Sequence, residues 1–172
     1  ERLDLFAHVM PIRYLDGSPS PMQRPHGTNL LVFREHTEDV FCEIEWKKGS
    51  PEAKQMIGLL NDDLAKKMDK SVRPDSSIGI KPISATATKR LLRLAIDYAV
   101  KHKRPSVTLV HKGSIMRHTE GFFRDWGYEI ARKEYGEYTV TEQQVLEEHK
   151  GKPPRGKVII KGILDTEDAR RA

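Results

Sequence analysis

The chain has 172 residues, 37% hydrophobic and 32% charged, enough for one core with a modest appendage and ordinary for a soluble domain. No apolar run approaches the roughly 18 residues of a spanning helix, the start has no signal-peptide pattern, and the single cysteine, Cys42, forms no internal disulfide, so a reducing, cytoplasmic compartment is expected. The net charge of +5 favours anions, but Lys and Arg are scattered among 25 acidic residues with no basic run interleaved with aromatics, which argues against nucleic acid as a partner.

Leu3, Leu5, Ala7 and Val9 alternate with Asp4, Phe6 and His8 as in a strand, and a start in mid-pattern without methionine reads as a cut point within a larger protein. Residues 11–27, with Pro11, Pro19, Pro21 and Pro25, read as a loop. Strands are expected over 29–33 and, more weakly patterned, over 40–46. Ser50, Pro51 and Glu52 supply an N-cap, a first-turn proline and a favourable charge for a helix. Its apolar face is Ala53, Met56, Ile57, Leu60, Leu64 and Met68, ending near Lys70. Residues 77–83 read as an edge strand. This strand-helix-strand stretch is too small to be stable alone and calls for a partner surface, which a second copy would provide.

A broad apolar face formed by Leu91, Leu92, Leu94, Ala95, Ile96, Tyr98 and Ala99 predicts a helix over 86–103, closed by basic residues and stopped at Pro105. Residues 107–110 form a short buried strand that gives way to His111, Lys112 and Gly113, where a turn is expected. Ile115, Met116, Thr119, Phe122, Phe123, Trp126 and Ile130 then recur at helical spacing. Residues 136–156 are polar, with a short helix at 142–148. Residues 157–164 return to a strand, and Asp165 opens a helix start.

A strand that ends in a loop lysine and feeds a helix puts that ammonium at the carboxyl edge of a sheet, where open α/β folds collect ligands, so Lys112 is the first site candidate. Taken by itself it reads first as a solvated turn lysine, since lysines are mostly exposed, and Arg34 is equally at home as a strand-end arginine paired with Glu35 or Glu38. His36, His111 and His118 have no metal-ligand spacing, Glu38 and Asp39 read as a solvated acidic pair, Trp46 and Trp126 as core or interface aromatics, and Cys42 as a small buried hydrophobe.

Three blocks carry a resemblance: RYLDGSPSPMQRP, then LLVFREHTEDVFCEIEW, then SIGIKPIS followed by TKRLLRLAIDYAVKHKRPSVTLVHKGSIMRHTEGFFRDWGYEIAR. In that order they resemble the central part of bacterial NADP-dependent isocitrate dehydrogenases, over nearly the whole chain except about 136–156. The resemblance implies an α/β fold, a two-layer small domain from residues 1–38 and 85–172. Into it is set a strand-helix-strand clasp, 39–84, that interlocks with its twin across a homodimer. The nucleotide-binding domain lies outside the chain, so no cofactor-binding residue is expected here.

The resemblance further implies oxidation of isocitrate by hydride transfer to NADP and decarboxylation with Mg²⁺ or Mn²⁺ as Lewis acid. Of the arginines that hold substrate carboxylates, one position falls ahead of Glu1, one aligns with Met10 and one survives as Arg34. Arg13 has the wrong strand parity to replace Met10. The catalytic tyrosine aligns with Phe41, the catalytic lysine with Lys112, acting toward the other subunit's substrate, and a substrate-side asparagine with Ser114. A metal aspartate aligns with Thr166, or with Asp165 after a one-residue shift. Loss of an arginine clamp and a positioned proton donor implies that the chain alone does not turn over. The alternatives are a portion of an isocitrate dehydrogenase and a non-catalytic homologue, a dimerisation or regulatory module that pairs with an intact isocitrate dehydrogenase.

Overall fold

The computed structural model describes residues 3–164. The chain forms two compact units, one from residues 3–37 and 83–164, the other Glu38–Pro82.

The first unit is built on a three-stranded parallel sheet. Strands β5 (Ser106–His111), β6 (Thr139–Thr141) and β7 (Val158–Leu164) lie in the order β5-β7-β6, with Ser106 opposite Ile159 and Thr139 opposite Val158. The central strand carries Val158 and the fully buried Ile160, as a strand covered on its core face should. Helices α2 (Ala85–Lys101) and α3 (Glu120–Lys133) supply Leu92, Ile96, Ala99, Ile130 and Ala131 to the core that Leu109, Val158 and Ile160 share. This is the two-layer arrangement expected. Gly127 of α3 faces Leu109 so closely that an added Cβ would lie 2.5 Å from its Cδ1, so α3 sits low on β5 because that position has no side chain.

A two-stranded antiparallel hairpin, β1 (Ala7–Arg13) and β2 (Asn29–Glu35), runs from Ala7 opposite Glu35 to Arg13 opposite Asn29. Its first strand starts later than the alternation predicts and runs through Pro11 to Arg13, which the loop reading had claimed. A hairpin has outward-facing positions at which proline forfeits no ladder bond. Phe33 meets Tyr98 of α2 at 5.7 Å between ring centroids, and Arg90 of α2 donates to Asp4 at 3.1 Å and to Thr37 at 2.7 Å, fixing the hairpin ends to the helix.

Two further expectations change here. The helix after β5 begins at Glu120 rather than beside Gly113, so Ile115 (72% exposed) and Met116 stand in the irregular connection before it and not on its buried stripe. Strand β6, in the segment read as polar, is three buried residues followed at once by α4 (Glu142–Glu147). Thr141 and Gln144 form a reciprocal capping box there.

The Glu38–Pro82 unit closes on itself where the chain enters and leaves, with Asp39 N–H donating to Pro82 O at 2.9 Å and Lys81 3.3 Å from the Asp39 carboxylate. Its ribbon is shorter than expected: β3 (Glu45–Trp46) pairs with β4 (Ile78–Gly79). Residues 39–42 coil into a 3-10 turn instead of a strand, because Asp39 (φ 59°) and Glu43 (φ 53°) take left-handed backbone conformations at either end of it. Helix α1 (Pro51–Leu59) is capped as predicted, Ser50 Oγ accepting from Ala53 N–H at 3.1 Å. Its continuation is a π-helical turn, Leu60–Leu64, and a 3-10 turn, Lys66–Met68, rather than regular helix. Among the described residues no helix is long and apolar enough to cross a membrane.

Candidate functional site

Strand β5 places Lys112 immediately beyond its carboxyl end, and the turn that follows is held from several sides. The Lys112 N–H donates to Glu120 Oε2 at 3.1 Å, and its carbonyl accepts from the N–H groups of Ile115 and Met116, each at 3.0 Å. The next residue, Gly113, is buried and donates its N–H to His111 Nδ1 at 3.1 Å. A Cβ on Gly113 would stand 3.0 Å from Gly121 Cα, so the turn rests directly on the first turn of α3. Ser114 is exposed in the same turn.

His111 is 4% exposed. Burial, with help from Arg124, lowers its pKa below the ordinary 6.5, while Glu120 and Asp125 pull the other way. On the far side of the ring is Gly162 of β7, where an added Cβ would lie 3.4 Å from His111 Nε2 and 3.0 Å from the Tyr128 hydroxyl. Tyr128 donates to Glu142 Oε1 at 2.6 Å, and the same oxygen accepts the Gly162 N–H at 3.2 Å. Burial and that bond to a carboxylate push the Tyr128 phenol well above its usual range.

The hairpin gathers a second group. His8 is opposite Arg34 and Met10 opposite Val32, so these four positions share one face, with Met10 and Arg34 as diagonal neighbours. Arg13 falls on the other face, opposite Asn29. Phe41 belongs to the Glu38–Pro82 unit and lies in its 3-10 turn. Asp165 and Thr166 lie outside the described residues. Among the described residues no group of three or more His, Cys, Asp or Glu side chains is arranged to hold a metal ion. A groove of about 510 Å³ runs between β2 and β5, but among the described residues Arg104 is the one charged residue lining it, and neither Lys112 nor Arg34 does, a poor match to a tricarboxylate.

Sequence reasoning considered His111 only as a metal ligand and passed over Glu120, Tyr128 and Glu142. The signal for His111 was strand parity: two residues after the inward-facing Leu109, it must point inward too.

The family model for isocitrate/isopropylmalate dehydrogenase matches residues 1–148. The chain belongs to that family. Among its isocitrate/isopropylmalate dehydrogenase relatives, the isocitrate dehydrogenase [NADP] of Archaeoglobus fulgidus is 53% identical over 159 residues, covering 92% of this chain and 38% of that protein. The isocitrate dehydrogenase [NADP] of Haloferax volcanii is 47% identical over 162 residues, covering 94% and 38%. The chain thus spans little more than a third of the length of these relatives. A crystal structure of isocitrate dehydrogenase from Methylococcus capsulatus superposes with a TM-score of 0.57 at 23% identity, covering 94% of this chain and 42% of the other, which supports the fold.

Proposed function

We propose that this chain is the small-domain and clasp portion of an NADP-dependent isocitrate dehydrogenase, carrying part of a site that two subunits share. The observation that carries this reading is the Lys112 turn: a lysine at the carboxyl end of a parallel strand, its backbone N–H and carbonyl both engaged, within a chain 53% identical to an isocitrate dehydrogenase [NADP]. In this reading Lys112 exchanges a proton with the partner's substrate, while Arg34 holds a substrate carboxylate and Ser114 hydrogen-bonds substrate. NADP and Mg²⁺ or Mn²⁺ are implied by the family. The described residues offer no donor set for the metal, so no step is assigned through either group. The same reading puts the protein in the cytoplasm.

The homodimer forms through the Glu38–Pro82 unit, which exposes Val40 (60%), Leu59 (52%) and Met68 (71%), more apolar surface than so small a unit hides unaided.

One observation favours a rival. Met10 is on the same hairpin face as Arg34, so the missing guanidinium is missing from the place where a second carboxylate contact belongs. With Phe41 in place of a hydroxyl-bearing residue, this supports a homologue that keeps the scaffold as a dimerisation or regulatory module, pairing with an intact isocitrate dehydrogenase, and the chain alone is inactive in both readings. Calorimetric titration with isocitrate and Mg²⁺ separates them. Binding that weakens in Lys112→Met supports the dehydrogenase site; absence of heat at millimolar substrate overturns it in favour of the module.

A further inference from the structure

A lysine that transfers a proton must approach its substrate along a fixed direction, since small misplacements of a reacting group cost large factors in rate. Its side chain has four rotatable bonds, so the fold acts on its direction first through the backbone from which it leaves. That backbone is held here by two side chains that no role has been assigned to. Glu120 accepts the Lys112 N–H at 3.1 Å, and His111 accepts the Gly113 N–H at 3.1 Å, one on each side of the Lys112 peptide unit.

We propose that His111 is a positioning residue for Lys112: the lone pair on its Nδ1, held in a buried pocket, takes the Gly113 N–H and so sets the direction in which the lysine leaves the sheet. This rests on the reading of Lys112 as the acid/base. The bond requires Nδ1 to be without a proton, which leaves the hydrogen of the neutral ring on Nε2. Two features hold the ring in that state and pose. Burial and the Arg124 charge disfavour a second proton, against the opposite pull of Glu120 and Asp125. Gly162, having no side chain, lets the ring and the Tyr128 phenol crowd against β7: the place of a Cβ there is 3.4 Å from Nε2 and 3.0 Å from the phenol oxygen. An apolar residue at 111 would fill the space but leave the buried Gly113 N–H without an acceptor, a costly loss. A bare packing role for the residue therefore does not account for its chemistry.

The test uses a pair of substitutions that differ in where they put a polar atom. His111→Asn returns an acceptor oxygen close to the Nδ1 position, whereas His111→Gln puts its polar atoms near Nε2 and leaves Gly113 without a partner. Acylation rates of individual lysines, read by mass spectrometry on the folded full chain, report the setting of each amine, with Lys101 as internal reference. The Lys112 rate is expected to change several-fold in His111→Gln and to return to the wild-type rate in His111→Asn, with Lys101 unchanged throughout. Equal Lys112 rates in wild type and His111→Gln, or equal shifts in both variants, would overturn the proposal and leave His111 as filler. If His111→Gln does not fold, nitrogen NMR of the wild-type ring decides: a bare Nδ1 coupled across the bond to the Gly113 amide is expected, and a protonated Nδ1 refutes the proposal. Failure of the acid/base reading shows elsewhere, as isocitrate binding that is indifferent to Lys112→Met.

Discussion

Gly113 is a glycine because of what it touches, not because of its backbone angles. A methyl group there would meet Gly121 Cα and His111 Nδ1, each at 3.0 Å, and Gly121 N at 3.2 Å, all in a turn already fixed by its hydrogen bonds. Gly113→Ala is therefore expected to cost about 1–3 kcal/mol of stability, the range for overpacking a tight site, read as a lower denaturation midpoint. His111 makes a separate prediction with a definite sign. Its folded pKa lies below 6.5, through burial first and Arg124 second, with Glu120 and Asp125 opposing and Tyr128 and Glu142 on the side of β7. Below 6.5 the unfolded chain takes up the proton first, so this residue's contribution is complete above that pH and is lost as pH falls from there toward the folded value. The slope of the thermal midpoint against pH below 6.5 should flatten in His111→Asn. On the hairpin, Met10→Arg adds a guanidinium next to Arg34 on the same face. If that face holds a carboxylate, a charged hydrogen bond of about 1.5–3 kcal/mol raises isocitrate affinity roughly tenfold to hundredfold in calorimetry.

At the level of elements, caps and apolar periodicity were legible, and left-handed residues were not. Ser50 accepts from Ala53 N–H at 3.1 Å and opens α1 as expected, and Ser84, which the sequence reading did not single out, accepts from Ala87 N–H at 3.1 Å and opens α2. Ser84→Ala should cost about 1 kcal/mol in chemical denaturation, because α2 supplies Leu92, Ile96 and Ala99 to the core and cannot fray without exposing them. The two-layer α/β class came with the family resemblance, and the apolar runs of β2 and β7 and the stripe of α2 agree with it. What misled was local chemistry that competes with periodicity. Residues 40–46 alternate weakly and read as a strand, yet Asp39 accepts the Val40 N–H at 2.8 Å on its own side chain and turns the chain. Residues 114–119 carry helical spacing, but the bond from Lys112 N–H to Glu120 spends that stretch on a turn. The candidate site divides in the same way. Lys112 was visible as a strand-to-loop lysine, whereas Glu120, Tyr128 and Glu142 enter only through contacts over 8 to 20 residues of sequence, which no local pattern encodes.

For the whole molecule the question is what the Glu38–Pro82 unit is for. Within it Ala53 and Ile57 are the buried apolar residues, and its ribbon has two residues per strand, a small return for a 45-residue insertion bounded by residues 38 and 82. Val40, Leu59 and Met68 remain 60%, 52% and 71% exposed. Covering these side chains with the same surface of a second copy would explain why so short a ribbon is kept at all, since a self-complementary patch is buried twice over in a twofold dimer. The proposed dimer then makes an asymmetric prediction for the double substitution Leu59→Lys and Met68→Lys. In the isolated chain these positions already face water, so stability should move by no more than about 0.5 kcal/mol. In the dimer each copy would bury two added charges, and association should be lost. Sedimentation velocity over a range of concentrations is expected to show wild-type dimers and variant monomers with unchanged circular dichroism. A wild-type chain that stays monomeric, or a variant that still dimerises, would remove this unit as the source of the interface.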